Sequence, residues 1–316
     1  MQEWATDANA AGMRLDLWLA RHGGAGSRGR AAAWLECGKV FVDGEAAGPD
    51  EAGRRLEAGM RVGVWIDRPG SARSADRAAH DQRHLLRVAA EDAAFIVADK
   101  PAGVIVEPLP GRDGEEVTLL DLVRHHLRHD ARGGLHVVHR IDRDTSGLVL
   151  FARTAEARDA LKDQFERRTP VRVYQAVVEG VVRPARGRWI DQLAWDATTL
   201  RQRKAHATDA RGKEAVAEYR VMEQFALAAL VEVSLVTGKR NQIRVQSGLR
   251  GHPLLGERQY RFGSPAPDPG LPHPGRQALH AWRLGFRHPS TGRPVVLTAD
   301  LPDDLRRVLA ALRSRR

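Results

Sequence analysis

Between Gly12 and Ile66 the apolar residues recur first with helical and then with strand spacing. Leu15, Trp18 and Leu19 fall at i, i+3 and i+4, and Ser27 is placed to cap a second helix through Ala31, Trp34 and Leu35 that Gly38 stops. Lys39-Val40-Phe41-Val42 reads as a strand, Asp43-Gly44 as a tight hairpin turn, and Arg61 to Ile66 as a closing strand. The pattern predicts two helices followed by a small sheet. Asp67 to Arg83 then holds almost no large apolar residue and reads as a linker.

From Leu85 onward, strand-like runs at Val88, Phe95–Val97, Gly147–Phe151, Val173–Val178 and Leu230–Leu235 are separated by helical patterns around 118–128, 155–167 and 303–313. That mixture predicts an α+β domain. Residues 262–276, rich in Pro and Gly, predict an irregular excursion. The expected organisation is a small α+β module over 12–66, a linker over 67–84 and a larger domain over 85–316. A length of 316 residues accommodates both domains.

Charge narrows the partner. Fifty Lys and Arg against 40 Asp and Glu leave a net +10, which makes an anionic partner, nucleic acid first, the leading expectation. The single cysteine, Cys37, cannot form an internal disulfide or a Cys-rich zinc site, so a reducing, cytoplasmic location is expected. No apolar run approaches the roughly 20 residues of a membrane span, and the first residues lack the pattern of a secretory signal. No membrane partner is expected, and a monomer is the default.

Three motifs fail on inspection. Gly238-Lys239 resembles part of a phosphate-binding loop, but Val233 and Arg240 stand where GxxxxGK[ST] requires Gly and Ser or Thr. The pairs His136/His139 and His125/His126 each lack a third ligand at metal-site spacing.

The informative segment is Val138-His139-Arg140-Ile141-Asp142-Arg143-Asp144-Thr145-Ser146-Gly147-Leu148-Val149-Leu150-Phe151-Ala152. A charged loop runs straight into an apolar strand, so its carboxylates are delivered at the edge of a rigid scaffold. Its wording resembles the HRLDxxTSGLLLFA signature of the RluA-type pseudouridine synthases. Asp99-Lys100-Pro101-Ala102-Gly103 is similar to that family's KPxG segment, and Val171 to Gly180 to its KxYxAxVxG strand. Thr237-Gly238-Lys239-Arg240-Asn241-Gln242-Ile243-Arg244-Val245 is similar to its TGRTHQIRV turn, and Gly251-His252-Pro253-Leu254-Leu255-Gly256, Leu279-His280-Ala281 and His288-Pro289 keep the same order. The first 66 residues resemble the S-four-type (alpha-L) RNA-binding module, through Arg14-Leu15-Asp16, Trp18-Leu19, Ser27-Arg28 and Gly38 to Gly44.

The resemblance implies a pseudouridine synthase fold with a mixed, largely antiparallel sheet, acting on ribosomal RNA, or second on transfer RNA, without metal or organic cofactor. It implies that Asp142 is the essential aspartate, attacking the ribose C1′ or abstracting the C2′ proton. Arg244 matches the basic residue that pairs with that aspartate, and such a partner is expected to lower its pKa. Tyr174 matches a tyrosine that stacks on uracil and helps remove the C5 proton, and Arg140 an arginine inserted where the flipped nucleotide stood. His139 reads as structural. Arg28, Arg30 and Lys39 are the expected RNA-contacting residues of the N-terminal module. The chain departs from the family pattern at Lys239, Asn241 and Gln246, which places the hydrogen bonding of that turn in question. A non-catalytic RNA-binding or ribosome-assembly factor is the rival reading, and a glycosidic hydrolase would require Asp144 to share a pocket with Asp142.

Divided at these boundaries, the charge is uneven. Residues 1–66 carry 8 basic and 9 acidic side chains, whereas residues 86–316 carry 38 and 28. The electrostatic attraction for RNA is therefore expected from the larger domain.

Overall fold

A computed structural model describes residues 1–65, 82–108, 116–127, 134–206 and 208–315. The chain forms two compact units, one built on Met1–Gln82 and the other on Arg83–Glu107 and Thr118–Arg316. Ile66 and most of the expected linker lie outside the described residues, and Arg83–Leu85 forms a short 3-10 turn.

The first unit runs β1 (Gln2–Ala5), α1 (Leu15–Arg21), α2 (Arg28–Glu36), β2 (Val40–Val42), β3 (Glu45–Ala46) and β4 (Arg61–Val64). Its strands form an antiparallel sheet in the order β1-β4-β2-β3. The Ser27 hydroxyl accepts the Arg30 N–H at 3.2 Å and so starts α2. Asp43 and Gly44 both have positive φ, 51° and 87°, as a two-residue hairpin turn requires. Leu15, Trp18, Leu19, Ala31, Trp34 and Leu35 of the helices close over Val40, Val42, Val62 and Val64. Strand β1 has no apolar alternation of its own, and its backbone pairing with β4 defines it.

The second unit runs β5 (Arg87–Glu91), β6 (Phe95–Lys100), α3 (Leu119–His126), β7 (His136–Val137), β8 (Ser146–Ala152), α4 (Ala155–Glu166), β9 (Val171–Glu179), β10 (Arg186–Asp196), β11 (Arg201–Lys204), β12 (Lys213–Gln224), β13 (Ala228–Leu235), α5 (Gln242–Leu249), β14 (Leu279–Arg287), β15 (Pro294–Thr298) and α6 (Asp303–Arg313). The sheet order is β11-β10-β12-β13-β9-β14-β8-β6-β5, with β15 on β14 and β7 on β8. Among the described residues only the β14–β8 pair is parallel, so the expected mixed, largely antiparallel α+β sheet is what forms.

Strand β8 is buried along its whole length because both of its faces are covered. Leu148, Leu150 and Ala152 pack with Ala157 and Leu161 of α4, while Val149 and Phe151 pack with Leu119 and Val123 of α3. Both helices are capped by threonine side chains, Thr118 and Thr154. At the start of β8, Gly147 has φ +112°, and a Cβ there would stand 2.2 Å from the Ala281 carbonyl oxygen of β14. Only glycine fits this approach.

One expectation is corrected. The segment after Asn241 was expected as a turn, but Gln242–Leu249 is the helix α5. Its Asn241 cap is left-handed, φ 53°, and makes no side-chain cap bond, so the usual sequence signal of a helix start is missing.

Candidate active site

The segment from β7 to β8 places Asp142 in a loop pinned from beneath. Lys100, fully buried at the end of β6, donates to the carbonyls of Pro101 (2.9 Å), Val104 (2.7 Å) and Arg143 (2.7 Å). The Gly103 N–H adds a second bond to the Arg143 carbonyl, at 3.0 Å, and the Thr145 N–H closes a turn on the Asp142 carbonyl at 3.1 Å. Arg276 donates to the Asp144 carbonyl at 2.8 Å and to the Ser146 hydroxyl at 3.1 Å, and is itself held by Asp304. The similarity at Asp99–Gly103 thus has a local physical purpose, since its lysine ties two loops together.

Arg244 reaches the same place from the first turn of α5, with its Nη1 3.6 Å from Asp142 Oδ2. Its stronger bonds point elsewhere. Nε and Nη2 donate to the two carboxylate oxygens of Glu257 at 2.8 and 2.9 Å, and Nη1 donates to Asn241 Oδ1 at 2.9 Å. The guanidinium also lies over the Tyr260 ring, 5.0 Å from its centroid. Glu257 has a fully buried side chain and accepts the backbone N–H groups of Gln259 and Tyr260.

This arrangement corrects the expected direction of the Asp142 pKa shift. Burial pushes its carboxyl up, the Arg244 and Arg240 guanidiniums pull it down without offsetting burial, and Glu257 pushes up again. The net direction is upward rather than downward. Glu257 moves the other way: burial raises it, but its bonds from Arg244 and two backbone N–H groups win and hold it below the ordinary range.

Tyr174, on β9, lies in one apolar cluster with Val233 and Ile243, against which Ile141 also packs. The neighbours of Asp142 and Arg244 in the chain therefore meet around the tyrosine. Burial raises its phenol to about 12, with Arg172 opposing and Asp142 reinforcing the shift. It is a neutral phenol at physiological pH. His139 accepts the Leu150 N–H at 3.1 Å and stacks on Phe165, centroids 4.9 Å apart; burial and then the charge of Arg172 lower it to about 3. A neutral, backbone-bonded imidazole suits the structural role read from the sequence.

Arg140, two residues before Asp142, has a side chain 63% exposed and pairs with Glu107 at 3.1 Å. In the first unit Arg28 donates to the buried Asp16 through Nε (3.0 Å) and Nη2 (2.8 Å), alongside Arg14, and remains largely exposed. Burial raises the Asp16 carboxyl, but the bonds from Arg14 and Arg28 prevail and lower it. Arg30 lies 5.9 Å over the Trp34 ring on the exposed side of α2. Lys39 does not join an open basic face. The residue is only 6% exposed, and its backbone is bonded to Trp34 and Trp65, because it leads directly into β2 over the core.

The departures in the Thr237–Val245 segment are absorbed by a closed set of amide bonds. Gln242 accepts from the Thr237 hydroxyl and the Lys239 N–H, and donates to the Val216 carbonyl and to Gln246 Oε1. Gln246 in turn donates to Asp191 and the Ala215 carbonyl. Asn241 bridges Arg244 to the Tyr260 hydroxyl, at 2.9 Å on each side. The residue that sequence reasoning missed is Glu257. It stands immediately after the Gly251–Gly256 similarity, and its spacing of 13 residues from Arg244 carries no periodic signal.

Residues 94–247 match the family model for RNA pseudouridylate synthase, and residues 13–62 match that of the S4 domain. A "Ribosomal large subunit pseudouridine synthase D" of Nitrosomonas europaea is 36% identical over 97% of this chain and 86% of its own length. The protein of the same description from Pseudomonas aeruginosa is 36% identical over 96% and 93%. Among solved structures, human RNA pseudouridylate synthase domain containing 4 superposes with a TM-score of 0.62 at 22% identity, covering 76% of this chain and 97% of that one. That likeness speaks to the fold.

Proposed function

The chain belongs to the RNA pseudouridylate synthase family and is an RNA pseudouridine synthase, an isomerase; on that premise we propose that it acts on large-subunit ribosomal RNA with Asp142 as the reacting carboxylate. The relatives above are ribosomal large subunit enzymes that align with nearly the whole chain, which favours ribosomal over transfer RNA. The cytoplasm, where ribosomes are assembled, is the corresponding location.

The observation that carries the site is the meeting of Asp142 and Arg244, distant in sequence, beside the buried ring of Tyr174. Asp142 either attacks C1′ or takes the C2′ proton. On both routes the N1–C1′ bond breaks, uracil turns, the C5–C1′ bond forms, and the proton that leaves C5 is matched by one taken up at N1, so composition is unchanged. Both routes require an ionised carboxylate. Tyr174 offers its ring to uracil; a phenol held near 12 is protonated and unsuited to act as a phenolate base.

A stacked uridine must leave the helix to reach Asp142, at a cost of roughly a few kcal/mol. Arg140, exposed and two residues before Asp142, is the side chain we assign to fill the vacancy. Its release from Glu107 breaks one partly exposed ion pair, worth about 1 kcal/mol or less. Arg28 and Arg30 are the N-terminal module's contribution to RNA contact, and tethering through residues 67–84 raises the local concentration of the catalytic unit. A paired-carboxylate hydrolase is disfavoured, because the second carboxylate that Asp142 senses is Glu257, and both Glu257 oxygens are held by Arg244.

The test is a single-nucleotide map of pseudouridine in total RNA from a strain deleted for the gene, complemented by wild type or Asp142→Asn. One or more ribosomal sites should vanish on deletion and return with wild type alone. If no site changes, or if Asp142→Asn restores it, the reading is wrong; sites lost only from transfer RNA would redirect the substrate.

A further inference from the structure

The guanidinium of Arg244 is shared unequally. Glu257 takes two of its nitrogens at 2.8 and 2.9 Å, Asn241 takes part of the third, and Asp142 stands 3.6 Å from that same third nitrogen. A bidentate Arg–carboxylate pair is the strongest arrangement available to the two groups, and here the reacting aspartate does not have it. Glu257 does, at a position where its side chain is fully buried and two backbone N–H groups fix it.

The cage around Arg244 is itself rigid. The Tyr260 hydroxyl accepts from Asn241 Nδ2 at 2.9 Å and from the Gln202 N–H of β11 at 3.2 Å, and the Tyr260 ring supports the guanidinium. Gly248 of α5 lets the Tyr260 segment approach, since a Cβ there would lie 2.1 Å from the Tyr260 carbonyl oxygen. Three elements thus converge to hold one arginine in one place.

We propose that Glu257, assisted by Asn241, is a positioning residue that occupies Arg244 and holds it off Asp142, so that the aspartate stays free to engage the ribose. This rests on the reading of Asp142 as the reacting carboxylate. A fully bidentate Asp142–Arg244 pair would have to be broken before every turnover; the present arrangement needs no such step. Arg244 still supplies positive charge beside Asp142, but its excess is neutralised by Glu257. The charged and titratable groups that Asp142 senses are Arg244, Arg240 and Glu257, with Lys100 and Tyr174 on the strands beneath; those that Glu257 senses are Arg244 and Arg261, the latter held by Glu179.

The test follows the Asp142 carboxyl directly. The full-length protein is labelled with aspartate carrying carboxyl carbon-13, the Asp142 resonance is assigned by its loss in Asp142→Asn, and its titration is compared in wild type, Glu257→Gln and Asn241→Ala. Removing the Glu257 charge and freeing Arg244 should move the Asp142 midpoint down by about one pH unit. In the same variant kcat on large-subunit ribosomal RNA from the deletion strain should fall about tenfold or more with KM little changed, and Glu257→Asp should recover part of it. Asn241→Ala, which frees Nη1 for Asp142, should move the midpoint in the same direction and covers the case in which Glu257→Gln does not fold. An unmoved midpoint in the folded variants, or a loss confined to KM, overturns the proposal. The titration does not depend on turnover, so a wild type without activity would sink the assignment of function while leaving this measurement to decide the role of Glu257.

Discussion

At the scale of single residues, the proposed chemistry turns on a carboxylate that the fold makes reluctant to ionise. Burial raises Asp142, and Arg244, committed to Glu257, does not bring it back down. Both available mechanisms need the ionised form, so the single-turnover rate should fall as pH drops through a midpoint above the ordinary aspartate value of about 4. No alkaline limb should come from Tyr174 below about pH 9, since its phenol is pushed up to about 12. A rate profile from about pH 4.5 to 9 checks both limbs; a flat profile down to pH 4.5 would contradict the raised carboxyl. The proposed site residues were legible because the wording around Asp142, Tyr174 and Arg244 is distinctive. What orients them was not. Glu257 meets Arg244 through a loop return with no fixed period, and Lys39 looked exposed because a one-dimensional pattern cannot tell a strand's first residue at the rim from one folded over the core.

At the scale of elements, segments with uniform or cleanly alternating hydrophobicity were readable and those with charged outer faces were not. Strand β8 announces itself by an unbroken apolar run, whereas β10 breaks its alternation with Asp191 between Trp189 and Leu193, and β12 sets the consecutive Ala215, Val216 and Ala217 among Glu214, Glu218 and Arg220, so neither gave a strand signal. Helix α5 was hidden by a short length and a left-handed cap. The junction that most constrains the site is the parallel pairing of β14 with β8, where Ala281 lies against Gly147 just beyond the Asp142 loop. Gly147→Ala combines a strained positive φ with a backbone collision, each costing about 1–3 kcal/mol. The variant should lower the melting temperature by roughly 4–24 °C and reduce activity by displacing the loop, measured by thermal unfolding and the ribosomal RNA assay. A wild-type melting temperature would mean that the two strands separate without cost.

At the scale of the whole molecule, the distribution of charge assigns different tasks to the two units. The N-terminal unit has the S4-type match yet almost no net charge, and its Arg28 is partly committed to Asp16. The net excess of +10 lies in residues 86–316. Phosphate attraction scales with the number of contacts that release counterions, so it should follow the unit with the excess, while a nearly neutral module contributes through shape and a few local contacts. A chain lacking residues 1–66 retains the apolar clusters of the second unit intact, which makes the separation testable. Its affinity for ribosomal RNA, measured between about 50 and 200 mM salt, should keep most of the full-length slope of log K against log salt concentration. Its choice among sites, read from the pseudouridine map, should broaden. If the slope falls below half of the full-length value, the module carries the electrostatic grip despite its neutrality, and the basic excess of the larger unit serves some purpose other than holding RNA.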